Sequence, residues 1–501
     1  MMKQRQHIFN LANISRILTG NEGHFSAHDY IHEVSIDNRQ INKDDLFIAI
    51  HGKRLDGHQF ALSAIQQGAH AVIVDHKIEQ IADQQQIVVE NTTEAFGKIA
   101  NNWRQQFSFP LIGITGSSGK TTVKEMTTAI LNHYFQDSAV KKTVLAPTVL
   151  ATKGNLNNEF GVPITLLQLN SSLKAAVIEM GANHLNEIAY LNGLADVDIA
   201  LITNAGSAHI EGFGSKENIA KGKGELYQTL KSSGTAIINS DDPNANYWFN
   251  ILKQRNKQKN ANIKILKFGF NKDADIYANK CAGEHVGNYE VTTPTDKFDL
   301  QLSVPGKHNM LNALASIAIA HTLNIPIPTI KDSLQSFNNI SGRLEVWQCK
   351  NSKTTIFNDT YNANPESVKA AIDVLSEQAT NNKILILGDM MELGKDAIKL
   401  HQEIGEYAAK RRLNQLLTYG EHSKQSTQAF NNQASEFNGK AKHFTTQEAL
   451  ITYITVQNLS DSSVLVKGSR SMAMENIAEQ LKKPLDNLNA TAQLQEEAIC
   501  S

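Results

Sequence analysis

The sequence predicts an α/β protein of three domains, the middle one built on a largely parallel sheet. Length carries part of that reading: 501 residues, at about 150 residues per domain, make roughly three domains. The rest comes from pattern. From Leu111 onward, short apolar runs of strand length alternate with helical stretches, as in open parallel sheets. One of those strands runs through a glycine-rich turn directly into a helix.

The domains are expected at residues 1–108, 109–340 and 341–490, with a tail at 491–501. In the first, Leu46-Phe-Ile-Ala-Ile50 and Ala71-Val-Ile-Val74 read as strands. A helical stretch over 60–67, stopped by Gly68, lies between them. In the second, strands are expected at 111–115, 175–179, 198–203 and 235–239. Helices are expected to begin at Lys120, near Asn183 and near Lys216, and the alanine-rich 311–323 reads as a packed helix. The polar 253–262 reads as an exposed loop or helix end. In the third, 354–359, 383–387 and 463–467 read as strands. Asn364, Pro365 and Glu366 spell a helix start: cap, first-turn proline, acid at the positive end. Residues 428–440, rich in Asn and Gln, read as loop.

Composition excludes several classes. Apolar residues are 41% and charged residues 20% of the chain, ordinary globular usage that argues against wholesale disorder. Lys plus Arg is 48 and Asp plus Glu is 50, a formal charge of −2. A chain that binds nucleic acid through bulk positive charge is therefore not expected. Cys281, Cys349 and Cys500 are far apart and form no C-x-x-C pair, so neither a disulfide framework nor a zinc site is expected. No apolar run approaches the roughly 18 residues of a membrane span. The first 18 residues lack the apolar core of a signal peptide.

The stretch Leu111-Ile-Gly-Ile-Thr-Gly-Ser-Ser-Gly-Lys-Thr-Thr122 carries the most chemistry. Glycines let several N–H groups converge on one anion, and the helix start adds partial positive charge. Lys120 can reach the outer phosphates of a nucleotide, and the Thr121 hydroxyl can ligate Mg²⁺. The pattern departs from G-x-x-x-x-G-K-[ST] at one place, where Ile114 replaces the first glycine. Glu179 ends an apolar strand, so its carboxylate belongs at the sheet edge where such folds bind ligands; a Mg²⁺ ligand is its functional reading.

Several stretches together resemble the ATP-dependent Mur ligases of bacterial cell-wall synthesis, most closely their D-alanyl-D-alanine-adding branch. They are Thr115-Gly-Ser-Ser-Gly-Lys-Thr121, Gly154-Asn-Leu-Asn-Asn-Glu-Phe-Gly-Val-Pro163, Glu179-Met-Gly-Ala-Asn-His184, Ala208-His-Ile-Glu-Gly-Phe-Gly214, Asp359-Thr-Tyr-Asn-Ala-Asn-Pro365 and Lys467-Gly-Ser-Arg470. The resemblance implies a central P-loop ATPase domain between a small N-terminal α/β domain and a C-terminal Rossmann-like domain. It also implies the reaction: ATP phosphorylates the carboxylate of a UDP-N-acetylmuramoyl-tripeptide, and the D-alanyl-D-alanine amine attacks the acyl phosphate. Two Mg²⁺ ions, a carbamylated lysine, a cytoplasmic location and a monomer come with it.

Residue by residue, the resemblance places ATP on Thr115, Gly116, Ser117, Ser118, Gly119, Lys120, Thr121 and Thr122, with Asn309 on the adenine side and Arg343 and Asp359 arriving from the third domain. Metal falls to Thr121, Glu179, His209 and a carbamylated Lys223, with Lys221 the alternative. Lys120, His209, Lys223 and Arg343 are the implied catalytic set. Substrate falls to Asp37, Asn38 and Arg39 at the diphosphate, to one or more of Asn155, Asn157 and Asn158, and to Tyr361, Asn362 and Asn364. Asn38 stands where the family commonly has serine, and Asn364 reads equally as a helix cap. Gly388-Asp-Met-Met-Glu-Leu-Gly394 and Lys467 to Arg470 resemble family segments near the incoming amine, without individual roles. The third residue of the tripeptide stays open, diaminopimelate or lysine. A ligase adding a single amino acid, a folylpolyglutamate synthetase-like enzyme and a nucleotide-dependent switch are the competing classes.

Overall fold

A computed structural model describes residues 9–483, apart from 53–54, 138–147, 259–260, 281–286, 339, 350–351 and 435. The expected tail, Cys281, Cys500 and the side chain of Cys349 lie outside the described residues. Beside a two-stranded antiparallel pair, Phe9–Asn10 with Tyr30–Ile31, three larger sheets of four, nine and six strands set the architecture of the described residues.

In the first sheet, Val34–Ser35, Leu46–Ile48, Ala71–Val74 and Gln86–Val88 pair in parallel in that order. The middle two strands are buried throughout, which is why their sequence is continuously apolar rather than alternating. The helix expected between them runs Ala61–Gln67 after a 3₁₀ turn. It ends at Gly68, whose φ of 114° suits glycine. The helix Thr92–Arg104 then fastens this unit to the next. Trp103 Nε1 donates to Leu169 O and Arg104 Nε to Ala195 O, both at 2.9 Å.

The nine-stranded sheet runs Lys297–Gln301, Asn288–Thr292, Ile276–Lys280, Lys264–Gly269, Thr235–Asn239, Ile199–Ile202, Leu111–Thr115, Ala175–Glu179, Val149–Ala151. All neighbours from Ile276–Lys280 onward are parallel; the first two strands add an antiparallel edge. Strand order reverses at Leu111–Thr115, where later strands are added on both sides. The carboxyl ends of parallel strands open a crevice at such a reversal. Helices cover both faces. Lys120–Asp137 and Lys307–Thr322 pack over Ile112, Ile114 and Leu201; Leu191, Leu226 and Trp248 cover Ala176, Ile178 and Ile202.

The six-stranded sheet runs Glu345–Cys349, Thr354–Asp359, Ser462–Lys467, Asn382–Gly388, Gln415–Tyr419, Lys440–Phe444, antiparallel only at its first pair. Asn364 caps Pro365–Ser376 in a reciprocal capping box with Ser367.

Two expectations need correction, and one feature was not expected. Residues 428–440 are not a loop: Lys424–Ala434 is a helix and Lys440–Phe444 a strand. Ser426, Phe430 and Ala434, four residues apart, form a buried face. Asn and Gln lose only about 0.7 kcal/mol or less of helix propensity each, less than burying Phe430 gains. Asn431 also clasps the strand, its amide exchanging hydrogen bonds with Ala441 N and O. The helix expected near Asn183 starts at Glu187, whose carboxylate instead accepts the Asn183 and His184 N–H groups. The antiparallel edge was not expected at all, because its outer strands are polar and half-exposed.

Close packing of the third domain is testable at one glycine. In the helix Ala397–Lys410, a methyl group on Gly405 would lie 2.1 Å from Ser426 O. Gly405→Ala should destabilise the protein by about 2 kcal/mol or more in thermal melts. Gly193→Ala, with open space around it, should be neutral or stabilising by up to about 1 kcal/mol. Equal melting temperatures for both variants would contradict the packing.

Candidate active site

The crevice at the sheet reversal holds the glycine-rich turn. Gly116 and Gly119 adopt φ of 145° and 84°, which other residues rarely adopt. Side chains there would also collide with Thr203 Oγ1 and Asn312 Oδ1. The end of Ile199–Ile202 braces the turn: Thr203 Oγ1 donates to Ser118 O (2.6 Å), and Ser118 N donates to Asn204 Oδ1 (3.0 Å). Neither Thr203 nor Asn204 was singled out from sequence. Their signal was position alone, at the end of the strand beside the turn.

One carboxylate gathers three segments. Glu179 is buried, and its Oε2 accepts from Thr121 Oγ1 at 2.9 Å while Oε1 accepts from Asn157 Nδ2 at 2.8 Å. Thr121 Oγ1 accepts in turn from Arg343 Nη2 at 2.8 Å, across 222 residues of sequence. Arg343 stacks 4.1 Å over the Tyr361 ring, and its buried Nε has no hydrogen-bond partner. A buried, unpaired guanidinium N–H beside a glycine-rich turn suits an anionic oxygen. Asn364 acts twice: its Oδ1 caps its own helix and its Nδ2 donates to Ser118 Oγ at 2.9 Å. The third domain is therefore docked on the phosphate turn.

Two lysines sit in this region, Lys120 half-buried and Lys223 buried. Lys120 Nζ donates to Gly116 O at 2.6 Å. Burial lowers its pKa, Glu179 opposes that, and Arg343 adds to it. Lys223 is wholly buried, with Nζ donating to Ala182 O at 3.2 Å. Burial, with Lys120 adding to it, lowers its pKa to about 7. Lys221 is exposed.

Other expected residues sit further out. Asp359 Oδ2 accepts from Lys467 Nζ at 2.6 Å, and its Oδ1 from Leu344 N. Asn362 accepts the same lysine through its carbonyl. Asn309, buried in the first turn of its helix, donates to Pro305 O and accepts from Asn312, the neighbour of Gly119. Asn155 is exposed; Asn158 caps Gly161 N. His209 does not touch Glu179 but pairs through Nδ1 with Glu392. In the first domain, Asp37 grips Arg39 through two side-chain hydrogen bonds of 2.9 Å, which hold its pKa near 2; Asn38 opens the same 3₁₀ turn.

Sequence reasoning missed Glu366, which takes Ser207 N and Oγ at 3.0 and 2.7 Å, and Glu392. Both were visible in the sequence, but only docking of the third domain gives them partners. Among the described residues, one other grouping has metal-ligand chemistry: His51, His58 and Asp75 in the first domain. Its ring nitrogens are already partnered. His51 Nε2 meets Asp75 Oδ2 (2.6 Å), His58 Nδ1 meets Asp56 Oδ1 (2.7 Å), and His58 Nε2 accepts Asp75 N–H (3.1 Å). It braces the loop that carries Asp56-Gly-His58.

A phosphate turn closed over by an arginine and an asparagine from a third α/β domain defines a nucleotide-using, multidomain protein. Comparison with known families makes this specific. Residues 114–320 match the Mur ligase middle domain, 342–470 the Mur ligase glutamate ligase domain, and 30–104 the Mur ligase family catalytic domain. The chain belongs to the Mur ligase family. It is 36% identical over 454 residues to the UDP-N-acetylmuramoyl-tripeptide–D-alanyl-D-alanine ligase of Escherichia coli, covering 90% of this chain and 93% of that one. The Bacillus subtilis protein of the same name is 30% identical over 453 residues, covering 90% and 93%. The crystal structure of MurF from Acinetobacter baumannii superposes with a TM-score of 0.82 at 30% identity, covering 95% of this chain and 99% of that one. MurF from Thermotoga maritima in complex with ADP gives 0.74 at 27% identity, covering 91% and 98%.

The buried Lys223 has a measurable stability signature. Its folded pKa is about 7 and its ordinary value 10.5. The cost of burying the charge is therefore full below pH 7 and fades as pH rises toward 10.5. In carbonate-free buffer, Lys223→Met should melt above the wild type at pH 6, and the gap should close with rising pH. A gap independent of pH would contradict the assignment.

Proposed function

We propose that this chain is an ATP-dependent ligase that joins D-alanyl-D-alanine to UDP-N-acetylmuramoyl-tripeptide, a step in peptidoglycan precursor synthesis. The observation that carries the reading is the junction at Glu179, where the phosphate turn, the asparagine loop and the third domain meet. Coverage of nearly the whole chain by relatives of that activity supports it.

In the first step a carboxylate oxygen of the tripeptide attacks the γ-phosphorus, the bond to the β-phosphate oxygen breaks, and ADP leaves. In the second, the dipeptide amine attacks the acyl carbon, loses a proton, and phosphate departs as the C–O bond breaks. The Gly116–Gly119 turn and Lys120 hold the phosphates, and Arg343 uses its unpaired Nε on the transferring group. Arg343 and Asn364 come from the third domain, so its docking completes the site and shields the acyl phosphate from water.

Thr121 and Glu179 offer adjacent hard oxygen donors at a helix start, a set that fits Mg²⁺. Bound there, the ion would neutralise charge on the phosphates. Lys223 as a cation would repel a metal; as a carbamate it would offer two oxygens. Its lowered pKa keeps a large share of the amine neutral near pH 7, and only a neutral amine adds CO₂. Exposed Lys221 has no such environment. The domain division at 108 and 340, the adenine role of Asn309, the Asp359 contact, and the diphosphate role of Asp37, Asn38 and Arg39 belong to the same proposal. So does work as a monomer in the cytoplasm, where ATP and nucleotide-linked precursors are available.

Mass spectrometry should find the joined product from a defined UDP-muramoyl tripeptide, ATP and D-alanyl-D-alanine, with one phosphate per bond. Equal phosphate release without either acceptor or amine would contradict a ligase. Lys223→Ala should lose at least about 100-fold in kcat, and a short carboxylic acid should restore part of it. Full activity in that variant would remove Lys223 from the mechanism.

A further inference from the structure

The segment Gly388 to Gly394 carries no role so far, yet its glutamate reaches the central domain. Glu392 Oε2 lies in ion-pair contact with His209 Nδ1, a buried nitrogen with no other hydrogen-bond partner, and Glu392 O accepts the N–H of Glu211 at 3.2 Å. Gly394 packs against the Glu211 side chain. His209 and Glu392 both hold left-handed backbone, φ 60° and 63°, a conformation that non-glycine residues keep only when their surroundings impose it. The contact joins the short helix Ile210–Phe213 to the loop after Asn382–Gly388, so it exists only while the third domain is docked.

We infer that Glu392 is a positioning residue for His209: a carboxylate delivered by the third domain that fixes the imidazole of the metal site in the central one. This rests on the ligase reading, in which His209 serves the second metal. A histidine that ligates through one nitrogen needs the other held, and a carboxylate is the usual holder. With Nδ1 engaged by Glu392, Nε2 is the nitrogen left for the metal. Here the holder arrives across the domain boundary, so the geometry of the metal site is coupled to docking. By reciprocity, metal and nucleotide favour the docked arrangement. The exposures fit a contact made and broken in solution: the His209 side chain is 26% exposed and that of Glu392 56%.

The test is Mn²⁺ binding followed by electron paramagnetic resonance. The full chain is saturated with a non-hydrolysable ATP analogue and the UDP-muramoyl tripeptide, for wild type, Glu392→Ala and Glu392→Gln. The expected result is a second equivalent of Mn²⁺ bound about 10-fold more weakly by Glu392→Ala. Glu392→Gln, whose amide oxygen can still accept from Nδ1–H, should fall between, and the melting temperature should not change. Equal Mn²⁺ affinity in all three would overturn the proposal and leave the ligase reading intact. Weakening only in step with a lower melting temperature would also overturn it, by making the contact merely structural. A wild type that binds no Mn²⁺ would overturn both.

Discussion

The site depends on how one buried carboxylate is satisfied. Glu179 ends the strand Ala175–Glu179, between Leu111–Thr115 and the edge strand Val149–Ala151, and is buried away from water. A buried charge without partners is costly, so the surrounding elements must bring donors. The helix after the phosphate turn brings Thr121, the loop after Val149–Ala151 brings Asn157, and the third domain reaches the pair through Arg343. The glycine-rich turn, the asparagine loop and the third domain are thus placed relative to one another by hydrogen bonds radiating from a single group.

The same region concentrates positive charge against solvation. Lys223 is wholly buried and Lys120 half-buried, both have lowered pKa values, and Lys120 disfavours charge on Lys223. Arg343 adds a guanidinium with an unpaired nitrogen. Such an arrangement costs stability in the free protein and is relieved by an anionic ligand. The net charge of −2 conceals this because the positive groups are few, local and desolvated.

Much of this was legible in the sequence because it is local. The strand–turn–helix around Gly116 and Lys120, the strand ending in Glu179 and the cap at Asn364 are each written within about a dozen residues. What was not legible depends on long-range contact. Asn364 reads as a cap from sequence, but its second bond to Ser118 spans 246 residues. Glu366 reads as a first-turn acid, yet it binds Ser207 across 159 residues. The choice between Lys221 and Lys223 rests on family resemblance; their difference in burial, one enclosed and one exposed, depends on packing that the sequence does not spell out. The helix Lys424–Ala434 was hidden for a different reason: its polar residues dominate composition, and of its buried side, Ser426, Thr427, Ala429, Phe430 and Ala434, only Phe430 is large and apolar.

The chemistry expected of this junction, transfer of the γ-phosphoryl group to a carboxylate held beside Glu179, leaves an isotopic record. If the terminal carboxylate of the tripeptide is labelled with ¹⁸O and the reaction runs with D-alanyl-D-alanine, the oxygen that attacks phosphorus leaves with the phosphate. Each phosphate released should carry one ¹⁸O from the carboxylate. Phosphate formed at the same rate without label would mean that water, not the carboxylate, receives the phosphoryl group, and would contradict the role assigned to this site.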